Sequence, residues 1–235
     1  MKVKGDSRIR SIETEQLLDT KHTIAMKLFT EVEYPFEVLS EIGKYILERG
    51  NDLPSARFDK VGEDVWIAKS AKVANTASIT GPCIIDEDAE VRQCAFIRGN
   101  VIVGKRAVVG NSTELKNSIL FDEVQVPHYN YVGDSILGYK AHMGAGSITS
   151  NVKSDKTLVE IKYGRQRLAT GLKKFGAILG DLCEIGCGTI LNPGSVVGRD
   201  STVYPLSSVR GYVPNKSIYK TNISASIVPK TDMED

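Results

Sequence analysis

Aliphatic or aromatic residues recur at every sixth position from Val61 through Ile67, Val73, Ile79, Ile85, Val91, Ile97, Val103, Val109 and Leu115 to Phe121. Four places after each of the first nine stands a small or β-branched residue: Val65, Ala71, Ala77, Cys83, Ala89, Ala95, Val101, Ala107 and Thr113. The pattern fails at Pro127, resumes at Leu179, and runs on through Ile185, Leu191, Val197, Val203 and Val209. Neither the two-residue alternation of an ordinary strand nor the 3.6-residue period of a helix fits these positions. Six residues supply one short strand and a corner, so three sixes close a triangular coil. Successive coils stack at about 4.8 Å, hydrogen-bonded along the axis. The chain is therefore expected to be all-β, a parallel β-helix with the aliphatic residues inward and the small ones where the turning backbone crowds the interior. Val126, Val132, Leu137 and Met143 are spaced six, five and six, which predicts a local coil of 17 residues and sets Ala145 below His128.

Two stretches outside the repeat, residues 11–30 and 36–49, read as helices. The second has Pro35 at its start, Phe36, Leu39, Ile42 and Ile46 on one face, and Gly50 beyond its end. These helices are expected to cover the open N-terminal end of the solenoid, whose unpaired strand edge would otherwise invite aggregation. The expected organisation is a helical segment over 1–55, a β-helix over 56–215 with an inserted loop at 150–176, and a tail over 216–235 that caps the other end. The insertion suggests a hairpin, with Leu158 to Lys162 and Arg167 to Thr170 joined at Tyr163-Gly164-Arg165. It carries Lys153, Lys156, Lys162, Arg165, Arg167, Lys173 and Lys174 against Asp155 and Glu160. Two readings stand: a solvated surface arm, or a lid that meets an anionic ligand at a neighbouring subunit.

Composition narrows the picture. Hydrophobic residues make up 41% of the 235, enough for a continuous core, and a formal net charge of +1 argues against nucleic acid as a partner. No apolar run approaches the ~18 residues needed to span a bilayer, and the charged N-terminus has no apolar stretch behind it. No membrane partner and a cytoplasmic location are expected. Cys83, Cys94, Cys183 and Cys187 are too few for a disulfide framework in a chain this long and read as packing thiols.

The stacking rule brings candidate chemistry together. Arg98 and Lys116 are one 18-residue coil apart, so they should project from the same side as neighbours. Such a pair suits a phosphate clamp, Arg supplying a fork and Lys a point charge. The alternative is a pair of surface cations balanced by acidic neighbours such as Glu114. His128 follows Pro127 where the inward aliphatic rule breaks. An imidazole titrating near pH 6.5 suits a general base, although a lone histidine can equally be structural.

Three runs then become specific: Glu114-Leu115-Lys116-Asn117, Val126-Pro127-His128-Tyr129-Asn130-Tyr131-Val132-Gly133-Asp134, and Met143-Gly144-Ala145-Gly146-Ser147-Ile148-Thr149-Ser150-Asn151. Together they resemble the acetyltransferase domain of the bifunctional glucosamine-1-phosphate acetyltransferase / N-acetylglucosamine-1-phosphate uridyltransferase family. The insertion ending Thr170-Gly171-Leu172-Lys173-Lys174-Phe175-Gly176 is similar to its archaeal-type sugar-1-phosphate members. The resemblance covers roughly residues 61–215 and implies a left-handed β-helix of the hexapeptide-repeat type. It further implies an acetyl-CoA-dependent N-acetyltransferase acting on a hexosamine 1-phosphate, assembled as a homotrimer, with no metal required for the transfer. Arg98 and Lys116 would hold the sugar phosphate, and His128 would be the general base. Tyr131, His142 and Asn151 would contact substrate. Ala145, Lys156, Cys187 and Pro205 would serve acetyl-CoA, with the Ala145 backbone beside the thioester carbonyl.

Two departures bear on the sugar. His142 stands where the family has asparagine, and Val152 where it has tyrosine. A nucleotidyltransferase half is not expected, because nothing in these 235 residues supplies its Gly-rich phosphate loop. The departures keep a second reading open, a non-catalytic sugar-phosphate or nucleotide-sugar binding module. A zinc carbonic anhydrase on the same kind of β-helix would need three convergent histidines, and the chain has only His22, His128 and His142.

Overall fold

The computed structural model describes residues 9–221. It is a parallel β-helix with three faces. On its first face Ile67, Ile85, Val103, Leu120, Leu137, Leu179, Val197 and Val213 lie side by side in successive coils. The second face stacks Val73, Val91, Val109, Val126, Met143, Ile185, Val203 and Tyr219. The third stacks Ile79, Ile97, Leu115, Val132, Thr149, Leu191 and Val209. Coil lengths on the first face are 18, 18, 17, 17, 42, 18 and 16 residues.

The first shortened coil comes earlier than the spacing suggested. The inward ladder steps from Leu115 to Leu120, so Phe121 leaves it and packs edge-on against Phe29, ring centroids 5.5 Å apart. The cause is the corner. An earlier coil turns there through Gly99 and Asn100, at φ 93° and 52°, whereas the next two turn on one left-handed residue each, Asn117 at φ 47° and Asp134 at φ 48°. Asn and Asp tolerate that conformation better than other side chains bearing a Cβ. Val61 is also off the ladder. Its strand, Phe58–Gly62, pairs antiparallel with Val65–Ala68 and closes that edge of the first face.

The N-terminal segment departs from its expected place. The first face has an apolar outer surface as well as an inner one: Trp66, Ile84, Ile102, Ile119, Ile136 and Ile178 form an outward column, none more than 5% exposed. Residues 9–51 lie along this column as a strap rather than over the end of the solenoid. An outward aliphatic column one coil after another removes far more apolar surface from water than a short strand edge would. Helix α2 (Ile42–Asn51) packs on the strands Cys83–Ile85, Val101–Val103 and Glu114–Leu120, and the 3-10 turn Pro35–Ser40 packs on Tyr131–Leu137. Gly50 lies inside this helix, not beyond it. A Cβ there would come within 2.5 Å of the Trp66 ring, so close approach explains the glycine. Residues 11–30 form α1 (Thr14–Leu17) and short 3-10 turns instead of one helix. Their buried residues, Ile12, Leu17, Leu18, Ala25 and Phe29, keep no single helical face, so contact with the solenoid decides the local path.

The insertion leaves the ladder after Thr149 and rejoins it at Ala177 without changing register, since Thr149 still pairs with Leu191. It contains a hairpin of Glu160–Tyr163 and Gln166–Ala169 about Gly164-Arg165, as the sequence suggested. Val159 and Ile161 are fully buried, and Tyr163 stacks on Tyr212 at 5.0 Å, so the hairpin docks on its own coils. Ile218–Tyr219 adds a last strand to the second face; the rest of the expected tail, 222–235, lies outside the described residues. Among the described residues no helix is long and apolar enough to cross a membrane.

Candidate functional site

Two clusters flank the third face. The first is a column at the corner joining the second and third faces. Tyr129 N donates to Asn111 O (2.9 Å), Gly146 N to His128 O (3.0 Å), Gly188 N to Ala145 O (2.9 Å), and Leu206 N to Cys187 O (2.9 Å). These bonds stack Asn111, His128, Ala145, Cys187 and Pro205 one coil apart. His128 is exposed, and its ring has no hydrogen-bond partner among the described residues. The corner beneath it is held by Asn130, which the sequence reading did not single out. Buried Asn130 accepts from His128 N through Oδ1 (3.1 Å) and donates through Nδ2 to Gly144 O (2.9 Å) and Ser147 O (3.1 Å). One amide thus ties the histidine's coil to that of Ala145. Ala145 is exposed, and its N–H makes no hydrogen bond among the described residues.

Below this column runs a mainly apolar groove of about 340 Å³, lined among others by His142, Gly144, Gly186, Cys187, Tyr204 and Pro205. His142 Nδ1 lies 2.8 Å from Glu184 Oε2, one coil further on. The structure therefore groups His142 with Cys187 and Pro205 rather than with Tyr131 and Asn151. Cys187 and Cys94 are exposed, which corrects the packing reading for those two thiols. Cys83 and Cys183 are buried in the interior, where loss of water pushes each thiol up to about 12.

The second cluster sits where the third face turns into the first. Arg98 and Lys116 lie one coil apart, as pairing of Ile97 with Leu115 requires. Both cations have acidic partners: Arg98 Nη1 donates to Glu114 Oε1 (2.7 Å), and Lys116 Nζ lies 3.4 Å from Asp134 Oδ2. Asp134, only 5% exposed, is the hub. Its Oδ1 accepts from Asn117 Nδ2 (3.0 Å) and its Oδ2 from Asn151 Nδ2 (2.5 Å). Tyr131 lies beside them. Burial pushes its phenol up, the charges of Asp134 and Glu114 add to this, and a hydrogen bond with Asn151 opposes them. Gly133 makes room for the ring, since a Cβ there would sit 2.5 Å from the Tyr131 hydroxyl. Lys156 stands apart on the insertion, exposed in a turn closed by its own N–H to Lys153 O (3.0 Å).

Asp134 and Asn117 were missed as site residues, yet the signal was available. Asn117, Asp134 and Asn151 lie 17 apart, the length of the short coils at this level. Among the described residues no group of three or more His, Cys, Asp or Glu could hold a metal ion.

Comparisons with known proteins bear on this arrangement. Residues 79–160 match the family described as GMPPB C-terminal domain. The bifunctional protein GlmU of Methanococcus maripaludis is 33% identical over 152 residues, 57% of this chain and 37% of the relative. That of Methanocaldococcus jannaschii is 32% identical over 190 residues, 73% of this chain and 42% of the relative. Over these stretches the chain is similar to both GlmU proteins. A bifunctional sugar-1-phosphate nucleotidylyltransferase/acetyltransferase of Sulfurisphaera tokodaii is 29% identical, covering 66% of this chain and 42% of the relative. The chain thus spans about two-fifths of the length of these curated relatives. Among solved structures, the acetyltransferase domain of PglB from Neisseria gonorrhoeae in complex with acetyl coenzyme A matches at 14% identity with a TM-score of 0.31, covering 78% of this chain and 72% of that one. PerB from Caulobacter crescentus in complex with CoA and GDP-perosamine matches at 17% identity and 0.29, covering 66% and 52%.

Proposed function

We propose that this chain transfers acetyl from acetyl-CoA to the amine of a hexosamine 1-phosphate, glucosamine or galactosamine 1-phosphate, with His128 as general base. The observation that carries the proposal is the column of His128 over Ala145, Cys187 and Pro205 at one edge of the third face, with the Arg98–Lys116–Asp134–Asn151 cluster at its other edge. In this reading the pantetheine arm lies in the apolar groove past Cys187 and Pro205. The free Ala145 N–H donates to the thioester oxygen as it takes up negative charge. The amine attacks the carbonyl carbon, the C–N bond forms as the C–S bond breaks, and CoA leaves as the thiol. His128 takes the proton from the attacking nitrogen, so no covalent enzyme intermediate is needed. Its unpartnered ring is free to do so.

Arg98 and Lys116 hold the phosphate. Because each has a carboxylate partner without ligand, the phosphate takes over part of that pairing when it binds. Tyr131 and Asn151 contact the sugar. His142 lines the cofactor groove, and Lys156 reaches the coenzyme from the insertion. The assembly is a cytoplasmic homotrimer in which the basic insertion completes a neighbour's site.

The test is thiol release from acetyl-CoA with glucosamine or galactosamine 1-phosphate, with His128→Ala as the control. Turnover that falls by about 100-fold or more in the variant supports the base role. No release with either sugar at high enzyme rejects the reading. Sugar-phosphate binding unaffected by His128→Ala, with no turnover, favours the non-catalytic module instead. A monomer by light scattering rejects the shared site.

A further inference from the structure

The acceptor cluster is anchored to a part of the chain that lies outside the repeat. Asn117 Nδ2 donates both to Asp134 Oδ1 (3.0 Å) and to Leu39 O (3.2 Å), and Leu39 belongs to the strap. A continuous path therefore runs from the strap backbone through Asn117 to a buried carboxylate. From there it passes to Lys116 and Asn151, the two side chains proposed to touch phosphate and sugar.

We infer that Asp134 is the positioning residue of the acceptor site, braced from the N-terminal strap through Asn117, and that it orients Lys116 and Asn151 toward a common sugar-phosphate ligand. The inference rests on the acetyl-acceptor reading above. Lys116 has several rotatable bonds and a side chain one-quarter exposed, so unpaired it would sample many orientations. The Asn151 amide could likewise turn away from Tyr131. A single carboxylate on a one-residue corner removes that freedom for both at once. Its fixed corner conformation and its Asn117 partner hold the carboxylate in turn. Pre-setting two ligand-binding groups lowers the ordering cost that binding would otherwise carry. Asp134 also offsets the Lys116 charge while the site is empty, as Glu114 does for Arg98.

The experiment measures steady-state kinetics for both substrates, melting temperature, and calorimetric binding of glucosamine 1-phosphate. It compares the wild type with Asp134→Asn and Asn117→Ala. Asp134→Asn keeps the shape of the corner and removes the charge. It should raise KM for the sugar phosphate about tenfold, weaken its binding to match, and leave KM for acetyl-CoA within about twofold. Asn117→Ala keeps the charge and cuts the link to Leu39; it should raise the same KM two- to fivefold and no other. A purely structural role predicts a different pattern, both KM values and kcat worsening together with a fall in melting temperature, and that pattern overturns the inference. If Asp134→Asn does not fold, Asn117→Ala decides alone, and an unchanged sugar-phosphate KM overturns it. Wild type that binds and acetylates the sugar phosphate, with both variants indistinguishable from it, rejects this inference and leaves the function standing. Wild type that neither binds nor acetylates either sugar rejects the function, and this inference falls with it.

Discussion

Ile84 and Ile85 are neighbours on the strand Cys83–Ile85, and both are fully buried for different reasons. Ile85 stands on the inward ladder and would be buried in any β-helix of this register. Ile84 points outward and is covered by the strap, whose α2 packs on this strand. Truncating a buried isoleucine to alanine costs about 2–5 kcal/mol, transfer and cavity terms together. An outward residue on a bare solenoid would cost under about 0.5 kcal/mol. For a domain of this size each kcal/mol lowers the melting temperature by roughly 2–4 °C. Ile84→Ala and Ile85→Ala should therefore each lower it by roughly 4–20 °C. Calorimetric or circular-dichroism melts at one protein concentration read the effect, and limited proteolysis of residues 9–51 reports whether the strap has loosened. An Ile84→Ala protein melting within about 2 °C of wild type, beside a strongly destabilised Ile85→Ala, would refute the strap as part of the core.

Three further outcomes are expected. Asn130→Ala removes the acceptor for His128 N and one donor each to Gly144 O and Ser147 O; Gly144 O keeps the Ser147 N–H and hydroxyl, while Ser147 O loses its Asn130 partner. The substitution should cost about 1–3 kcal/mol in urea unfolding and lower kcat, and an unchanged midpoint contradicts the bracing role. Arg57 and Lys105 hold the Glu87 carboxyl down to about 2, below its value in the unfolded chain. That contribution is present above pH ~4.5 and is lost as pH falls toward 2. It amounts to less than about 1 kcal/mol for a pair this close to solvent. The melting gap between wild type and Glu87→Gln should close over that window, and a gap constant from pH 6 to 2.5 contradicts the assignment. Gly133→Ala would press on the Tyr131 hydroxyl and Asn151 amide. A severalfold rise in sugar-phosphate KM with an unmoved acetyl-CoA KM is the expected signature, and equal changes in both count against it.

The inward half of the fold was legible because it is local arithmetic: a residue every six places, confirmed at Ile85, Val91, Ile97, Val103 and Val109, all essentially buried. The strap's position was not legible from the same rule. Its cue was the second apolar column, Trp66, Ile84, Ile102, Ile119, Ile136 and Ile178, which the six-residue count passes over because it points out of the coil. The helix expected over residues 11–30 failed for a related reason: tertiary contact outweighs local propensity in a short segment lying on a fixed surface. At the candidate site, stacking arithmetic placed Arg98 beside Lys116 and Ala145 beneath His128, because corners repeat with the coil. It did not yield their partners. Glu114 entered only as a balancing charge, and Asp134 became visible once the short coils were seen to begin at Leu115. Which carboxylate reaches which cation depends on side-chain paths across a corner, which spacing does not encode.

The long coil has a consequence for how this chain can change. Thr149 pairs with Leu191 as though the residues between them, beyond one ordinary turn, were absent. The hairpin is thus a cassette, clipped onto the coils through Val159, Ile161 and Tyr163 but not wound into them. Its length and charge can drift without disturbing any strand downstream. A residue lost from an ordinary coil must instead be absorbed at a corner, as at Asn117 and Asp134, or every later side chain slides one place round the prism. Diversity in this architecture is therefore free to gather in the inserted loop, while the columns of the ladder stay in step.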